Sequence, residues 1–188
     1  MVLDGSSLYL STFSVDGSTD DLQLWKLTTT GSVSWQRVLK TAGKPARSSL
    51  ALDSVGDIYQ INSNYQIAKY NSLGTLLWQR GVSGTLSRSS NGIDVDSNND
   101  IHIAGDWYRD SLAQNWTFSS KLPNDGSLTG SYNIEDDSIE YQATSFTAQT
   151  SSDSSGGTPD ASIFSTSETV ATGTLSISSI TLEQQIAS

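Results

Sequence analysis

Cysteine is absent from this 188-residue chain, and histidine occurs once, as His102. Without cysteine the chain has no disulfide framework, no thiolate metal site and no thiol nucleophile. A lone histidine cannot supply a two-histidine metal site, or a histidine–carboxylate relay in each of several repeats. The clustered carboxylates, such as Asp20 with Asp21, lie in turn-like polar text and are interpreted as solvated loop rather than as the acid and base of a glycosidase. We predict no catalytic residue and no cofactor, and we interpret the protein as a non-enzyme.

The sequence also shows no long apolar run and no signal-peptide pattern at its first residues. No run approaches membrane-spanning length, and the N-terminal sequence MVLDGSSLYL has no basic flank followed by an apolar stretch. We expect neither export by the usual route nor membrane insertion. Basic residues are missing from one part of the chain: residues 122–188 hold nine acidic residues and no Lys or Arg, whereas residues 1–121 hold all ten basic residues and eleven acidic ones. Such an acidic segment repels phosphate, so nucleic acid is not an expected partner.

What the chain does contain favours short strands and turns. The apolar fraction is only 35%, while Gly, Ser, Thr, Asn and Asp are plentiful. This composition is typical of many short strands joined by turns, and it disfavours long helices. We predict an all-β fold.

An internal repeat with a period of 43 residues is the strongest pattern. A lysine, a glycine and a tryptophan share one spacing in two copies, and in the third copy glycine takes the place of the tryptophan. The three sets are Lys26, Gly31 and Trp35; Lys69, Gly74 and Trp78; and Lys121, Gly126 and Gly130. Each set follows a segment that reads as strand, turn, strand: LDGSSLYLS, ALDSVGDIYQI and DVDSNNDIHIA. One repeat is therefore four short strands in a meander, the sequence signature of a propeller blade.

These repeats set the expected domain organisation. Blades are predicted at about 1–40, 48–83 and 90–132, giving a repeat domain over 1–132 and an acidic, Ser/Thr-rich C-terminal extension over 133–188. The first blade has at most a stub of its first strand, and three blades are fewer than the four to eight that close a ring. The propeller is therefore expected to be incomplete. Open strand edges invite association, so a partner chain, the extension or a remainder of a longer protein must cover them.

The repeat text, best seen in IYQINSNYQIAKYNSLGTLLWQR, resembles the bacterial seven-bladed β-propeller repeat and, more loosely, the quinoprotein-like repeat. Such repeats are found in bacterial surface proteins and in virion proteins of tailed phages, including those of cyanobacteria. The resemblance implies scaffold and interaction roles. On this basis Trp35 and Trp78, with the turn glycines Gly31 and Gly74, are predicted to dock neighbouring blades. No quinone site is implied, because no set of cofactor ligands accompanies the repeat.

Two copies carry extra residues at one position of the repeat. The aromatic or histidine residue of the second strand is followed by the lysine after 10 residues in the second copy, but after 17 in the first and 19 in the third. We expect these insertions to be loops on one face, which is often a binding face. In the third copy Trp107, Tyr108, Arg109 and Asp110 form a candidate contact site for a glycan or a protein. Alternatively, the two aromatic residues fold back onto the blade.

Four oxygen-bearing side chains at alternate positions, Asp94, Asp96, Asn98 and Asp100, resemble the opening of a calcium loop. The sixth position of the loop is not glycine and the twelfth is not glutamate. A turn between strands explains these residues more simply, and we predict no metal site.

The end of the chain combines low complexity with a strand-like pattern. From residue 141 onward 21 of 48 residues are Ser or Thr, and DSSGGTPDAS marks a flexible segment. Near the end, Leu175, Ile177, Ile180 and Leu182 alternate as in a β-strand with one slip in phase. We expect this strand to complete a sheet edge, in the same chain or in a neighbour, by main-chain hydrogen bonding.

The leading functional hypothesis is a non-enzymatic virion structural protein of a tailed phage, a component of the tail, fibre or capsid surface. It would hold neighbouring subunits through sheet edges and its C-terminal extension, and its partners would be other virion proteins or copies of itself. The alternative is an extracellular or bacterial-surface adhesion or glycan-binding module, which would bind a host-surface glycan through the insert loops of blades one and three. An enzyme whose active site lies on blades outside this chain is a third interpretation.

Overall fold

The computed structural model describes residues 1–16, 19–40, 47–84, 87–109, 114–134, 137–144 and 148–149. Over these ranges the chain forms antiparallel β-sheets, and no helix occurs among them. The prediction of an all-β fold is confirmed.

Fourteen strands make up the described residues. They are β1 (Val2–Asp4), β2 (Ser7–Asp16), β3 (Thr19–Thr28), β4 (Val33–Leu39), β5 (Ser48–Leu52), β6 (Ile58–Asn62), β7 (Gln66–Tyr70), β8 (Leu76–Gly84), β9 (Ser87–Val95), β10 (Ile101–Arg109), β11 (Gln114–Leu122), β12 (Gly130–Ile134), β13 (Asp137–Ala143) and β14 (Ala148–Gln149). The first sheet has the order β1-β2-β3-β4-β14, the second β12-β13-β8-β7-β6-β5, and the third β11-β10-β9.

Asparagine and aspartate side chains form the turns that connect these strands. The Asp53 carboxylate accepts hydrogen bonds from the backbone N–H groups of Val55, at 3.1 Å, and Asp57, at 2.8 Å. The Asn71 side chain accepts from two backbone N–H groups in the same pattern, two and four residues further on. In such a turn the side-chain oxygen accepts hydrogen bonds from backbone N–H groups that have no strand partner at the turn. The chain can therefore reverse direction without leaving these donors unpaired. The repeated Asp and Asn positions of the sequence therefore mark strand ends.

The second sheet lies between the other two. Every residue of β6 and β7 is buried, so this sheet is covered on both faces. One core joins it to the first sheet and consists of Tyr9, Leu22, Leu24, Leu39, Leu50, Ile58, Ala68 and Tyr70. The other joins it to the third sheet and consists of Ala51, Tyr59, Ile61, Tyr65, Ile67, Ile93, Ile101, Ile103 and Tyr141. Adjacent residues of one strand point to opposite faces, so Ile58 and Tyr59 belong to different cores.

The third repeat differs from its predicted four-stranded form. Among the described residues its sheet contains three strands, and the strand that follows in the chain, β12, pairs with β13 instead. Gly130, at the position of the repeat tryptophan, begins β12 with a φ of +145°. Residues with a side chain rarely adopt that backbone, so glycine allows the chain to turn away from β11 here.

The expected insert loops are also corrected by the structure. In the first repeat the extra residues lengthen β2 and β3, which pair from Ser7 with Thr28 to Asp16 with Thr19. In the third repeat β10 and β11 pair from Ile101 with Leu122 onward to the far end of both strands. The inserted residues are thus mostly paired strand rather than loop, because hairpin pairing satisfies backbone groups that a loop would leave to solvent.

The chain after the repeats adds strands to sheets already formed. Strand β13 pairs with β8, with Tyr141 opposite Val82, and so extends the second sheet. Strand β14 pairs with β4, with Ala148 opposite Leu39, and extends the first sheet. Strands β13 and β14 therefore cover the edges that β8 and β4, the last strands of the first two repeats, would otherwise leave open. The edge of β11, the last strand of the third sheet, has no such cover among the described residues.

Candidate functional site

One tryptophan and one arginine of β4 donate hydrogen bonds to main-chain oxygens at the contact between the first and second sheets. Trp35 Nε1 donates to the backbone oxygen of Ser72 at 3.3 Å. Arg37 Nε donates to the backbone oxygen of Gly74 at 2.6 Å, and its Nη2 to that of Leu73 at 3.1 Å. The guanidinium also lies 5.1 Å from the centre of the Trp35 ring. Strand β4 therefore holds the β7–β8 turn of the next repeat by its carbonyl groups.

The contact between the second and third sheets repeats this arrangement. Trp78 Nε1 donates to the backbone oxygen of Asn124 at 3.1 Å, and Arg80 Nε donates to that of Gly126 at 2.8 Å. The Arg80 guanidinium lies 5.8 Å from the Trp78 ring centre. We call the tryptophan and the arginine two residues later the docking pair, and the turn that receives them the receiving turn.

Glycine in the receiving turn allows the indole to approach. A Cβ at Gly126 would lie 2.8 Å from the Trp78 ring, and one at Gly74 would lie 3.1 Å from the Arg37 guanidinium. Both glycines also have positive φ, +67° and +78°. Two constraints, backbone conformation and space, therefore select glycine at these two positions.

A charged cluster lies beside the docking pair in the second repeat. The Lys69 ammonium lies 3.3 Å from an oxygen of Asp53 and 3.0 Å from one of Asp57. The Tyr59 hydroxyl donates to Asp53 at 3.0 Å, and the Lys69 ammonium lies 4.9 Å from the Tyr59 ring centre. The ring in turn packs edge-on against Trp78 at 6.0 Å. The cluster thus ties the β5–β6 turn to β7 beneath the docking tryptophan.

Burial and charge act together on this cluster. Burial raises the pKa of Tyr59 to about 12, against the opposing effect of the nearby ammonium. Burial alone would lower the pKa of Lys69, but the Tyr59 hydroxyl and the Asp57 carboxylate raise it above its ordinary value. Lys69 therefore stays protonated and Tyr59 stays neutral at physiological pH. These are properties of a structural ion cluster rather than of a proton-transfer site.

The third repeat carries the same cluster in exposed form. His102 Nε2 lies 3.0 Å from an oxygen of Asp96, and the Lys121 ammonium lies 2.7 Å from one of Asp100. The hydrogen bond from His102, followed by those from backbone N–H groups, holds the pKa of Asp96 well below its ordinary value. The Lys121 side chain is 54% exposed, whereas that of Lys69 is 10% exposed. No docking tryptophan covers this copy, because the matching position is Gly130.

The predicted contact site at the end of the third repeat is split by the structure. Trp107 packs against Phe118 at 4.8 Å between ring centres, and Phe118 packs against Tyr65 at 5.2 Å. Trp107 therefore folds back onto the sheets, and Tyr108, on the other face of β10, is exposed. Trp116, opposite Trp107 in the hairpin, is also exposed. The side chain of Arg109 and the whole of Asp110 lie outside the described residues.

The predicted assembly strand, with Leu175, Ile177, Ile180 and Leu182, also lies outside the described residues. Within the part of the chain that the structure describes, no group of three His, Asp or Glu side chains is placed to hold a metal ion. No helix in that part is long and apolar enough to cross a membrane.

Sequence reasoning missed the arginine of each docking pair. The repeated text WQR places Arg37 and Arg80 two residues after the tryptophans, so both side chains fall on the same face of their strands. Comparing the copies at this position would have found them. Sequence reasoning also aligned the Asp, Tyr and Lys positions without joining them into one ion cluster, because the lysine is brought to the carboxylates only by the pairing of β6 with β7.

No protein-family model, no curated protein and no solved structure matches this chain.

Proposed function

We propose that this chain is a non-enzymatic structural protein of a tailed-phage particle, part of the tail, fibre or capsid surface, which holds its neighbours through sheet edges and its C-terminal extension. One observation carries the structural role: residues after the repeats cover outer sheet edges by adding strands β13 and β14. Main-chain pairing of this kind gives affinity, and alternating side chains give register. The particle setting is supported by the repeat resemblance.

The architecture within this proposal is a partial propeller. The meanders β1–β4 and β5–β8, and the two docking pairs that link successive sheets, support an assignment of the repeats as propeller-blade-like units. An arrangement of three such units leaves exposed sheet surface at its ends. In a structural protein such a surface can bind neighbouring subunits, whereas in an isolated monomer it would favour aggregation.

The edge of β11, which pairs with no strand of the described residues on its other side, is the acceptor that we propose for an added strand. Nine residues, Gln114–Leu122, form this edge. The alternating segment with Leu175 and Ile177 is the proposed donor, from the same chain or a neighbouring copy. It would act on the third sheet as β13 and β14 act on the second and first.

Light scattering of the full chain at several concentrations tests this function. We expect a defined oligomer heavier than the 20.1 kDa protomer. A chain lacking residues 170–188 should lose that assembly or aggregate, because an edge is uncovered. The substitutions Leu175→Asp and Ile177→Asp in one chain should do the same, whereas Thr174→Asp and Ser176→Asp, of equal charge on the alternate positions, should have a smaller effect. Assembly that survives the deletion unchanged would contradict the proposal.

A second candidate function is supported by the exposed aromatic side chains at the end of the β10–β11 hairpin. Tyr108 and Trp116 lie on opposite faces of this hairpin, and either one could stack on a sugar ring, as expected of a bacterial-surface glycan-binding module. A glycan array probed with the full chain tests it. Binding lost in Tyr108→Ala or in Trp116→Ala, and retained in the exposed-turn control Val55→Ala, would favour this function over the structural one and would show which face of the hairpin binds.

A further inference from the structure

One face of the first sheet is apolar and uncovered within the described residues. Tyr9 of β2 points to the second sheet, so its neighbours Leu8 and Leu10 point away from it. We call this the outer face, and its apolar members include Leu3, Leu8, Leu10, Trp25, Leu27 and Val33; Gln23 and Gln36 lie on the same face. Leu3 is 64% exposed and Val33 45% exposed, Leu27 is buried among its neighbours, and Leu8, Leu10 and Trp25 are half-buried.

The matching face of the second sheet is covered. Ile58 and Tyr70, which occupy the positions of Leu8 and Leu27, are fully buried against the first sheet. The matching face of the third sheet, with Ile101 and Ile103, is buried against the second. In both cases the covering sheet is the preceding repeat. The outer face of the first sheet is therefore the same kind of surface, and no sheet of the described residues covers it.

The first repeat also has a receiving turn. The Thr28 N–H donates to Ser32 O at 2.8 Å and the Gly31 N–H to Thr28 O at 2.9 Å, as Asn71 and Gly74 do in the second repeat. The φ of Gly31 is +87°, close to that of Gly74. Among the described residues, however, no atom lies within 4 Å of a Cβ built at Gly31, where the other two glycines meet an arginine or a tryptophan. The turn thus has the backbone conformation of a receiving turn, and the space next to Gly31 is not filled by any described residue.

The opposite end of the stack does not complement this surface. The outward face of the third sheet is polar, with His102, Asp106 and Lys121. The positions of the docking pair are Gly130 and Tyr132, neither of which can supply the indole N–H and guanidinium donors. A second copy stacked head to tail would therefore lack the pair that holds both observed interfaces.

We propose that the outer face and the Thr28–Ser32 turn are a docking surface for a β-sheet of a neighbouring, different polypeptide, one strand of which carries Trp-x-Arg. The tryptophan would donate to the backbone oxygen of Thr29, and the arginine to that of Gly31, as in the two interfaces within the chain. The leucines and Trp25 would pack against the apolar face of that sheet. The inference deepens the proposed function and rests on it for the existence of neighbours, because it names the chemistry of one of them.

The experiment uses the full chain, extended at its N-terminus by a second copy of residues 1–84, so that the added second sheet keeps the first sheet that covers its other face. The linker is as long as the segment 40–47. The added second sheet carries its own Trp-x-Arg. Because the chain has no cysteine, Val33→Cys gives a single thiol on the outer face, and Val55→Cys gives a matched control in an exposed turn. Maleimide labelling rates are measured for each, with and without the added copy. A second extended chain has Trp78→Ala and Arg80→Ala in the added copy only.

We expect the added copy to slow labelling at Val33→Cys about tenfold or more, since a covered thiol reacts only when the interface opens. Labelling at Val55→Cys should not change, and the alanine copy should not protect. Labelling as fast as in the unextended chain, or protection that survives loss of the docking pair, would overturn the proposal. So would protection of the unextended chain that grows with its concentration, because the cover would then be a second copy. If the added sheet docks but light scattering shows the full chain to be a monomer, the docking surface is supported and the proposed self-assembly through the C-terminal extension is contradicted.

Discussion

The same lysine and carboxylates occur in the second and third repeats, but burial gives them different energetic weight. The buried Lys69 faces Asp53 and Asp57 with little solvent to screen the charges. Lys121 faces Asp100 from an exposed position, where solvent and side-chain entropy offset most of the attraction. The same charged residues therefore contribute differently to stability in the two repeats. The difference follows from Trp78, which packs against the cluster of the second repeat and has no counterpart in the third.

Replacing the buried lysine measures this difference. Lys69→Met leaves two carboxylates without their cation, and removing one partner of a buried ion pair costs about 3 kcal/mol. The free energy of unfolding in urea is the measurement. Lys121→Met is the matched control and should change that free energy far less. Equal losses in the two variants would show that burial is not the deciding factor.

The raised pKa of Tyr59 predicts a loss of stability in alkali. The phenol titrates near 10.0 in the unfolded chain and at about 12 in the folded protein, so the folded state holds the proton more tightly. The contribution of this shift to the free energy of unfolding is complete below pH 10 and is lost as the pH rises through about 12. Tyr59→Phe should therefore flatten the fall in unfolding free energy over this range, and the exposed control Tyr108→Phe should not. A profile for Tyr59→Phe as steep as that of the unchanged protein would refute the assignment.

The receiving turn acts as an element of its own. The turns around Gly31, Gly74 and Gly126 share a backbone with positive φ, but only the last two hold a docking pair. The strands that bring the pair are β4 and β8, each the fourth strand of its repeat. Docking is therefore set by the fourth strand of one repeat and a turn of the next, and each can be tested separately.

Alanine substitutions in two of these turns separate backbone strain from docking. Gly31→Ala meets only the conformational penalty, about 1 kcal/mol. Gly126→Ala meets the same penalty and also displaces the Trp78 ring, which adds about 2 kcal/mol. Thermal and urea unfolding of both variants give the comparison. If Gly31→Ala is as harmful as Gly126→Ala, then the first turn is already occupied in solution.

Across the whole molecule, the segment after the repeats helps close the core. Tyr141 of β13 is buried in the core shared by the second and third sheets, although it lies beyond the last repeat. Its neighbour Glu140 points to solvent. Strand addition in this protein thus contributes apolar packing as well as main-chain pairing.

Truncating that tyrosine tests the role of the added hairpin. Tyr141→Ala should lower the free energy of unfolding by about 3 kcal/mol, as for other large aromatic residues in a core. Glu140→Ala in the same strand should stay within about 0.5 kcal/mol of the unchanged protein. Calorimetry of the full chain is the measurement. A Tyr141→Ala protein of unchanged stability would mean that the repeats close their core without the hairpin.

The sequence by itself determined the features that depend on local chemistry. Aspartate, asparagine and glycine at fixed spacings gave the turns, alternation gave the strands, and the recurrence of Trp35 and Trp78 pointed to the residues that lie between sheets. Each of these follows from the preferences of a few neighbouring residues for one backbone conformation or one face of a strand.

Only the tertiary structure decided which edges pair. The alternating pattern of β12 and β13 suits any antiparallel partner. The local sequence therefore could not predict that β12 pairs with β13 instead of β11, or that β13 pairs with β8. The inserted residues could equally have been loops, and they became paired strand because each had its hairpin partner opposite. Tertiary packing also placed Trp107 against Phe118 and left Tyr108 exposed. Long-range pairing depends on which strand edge is open and near, and that is a property of the assembled sheets rather than of any one segment.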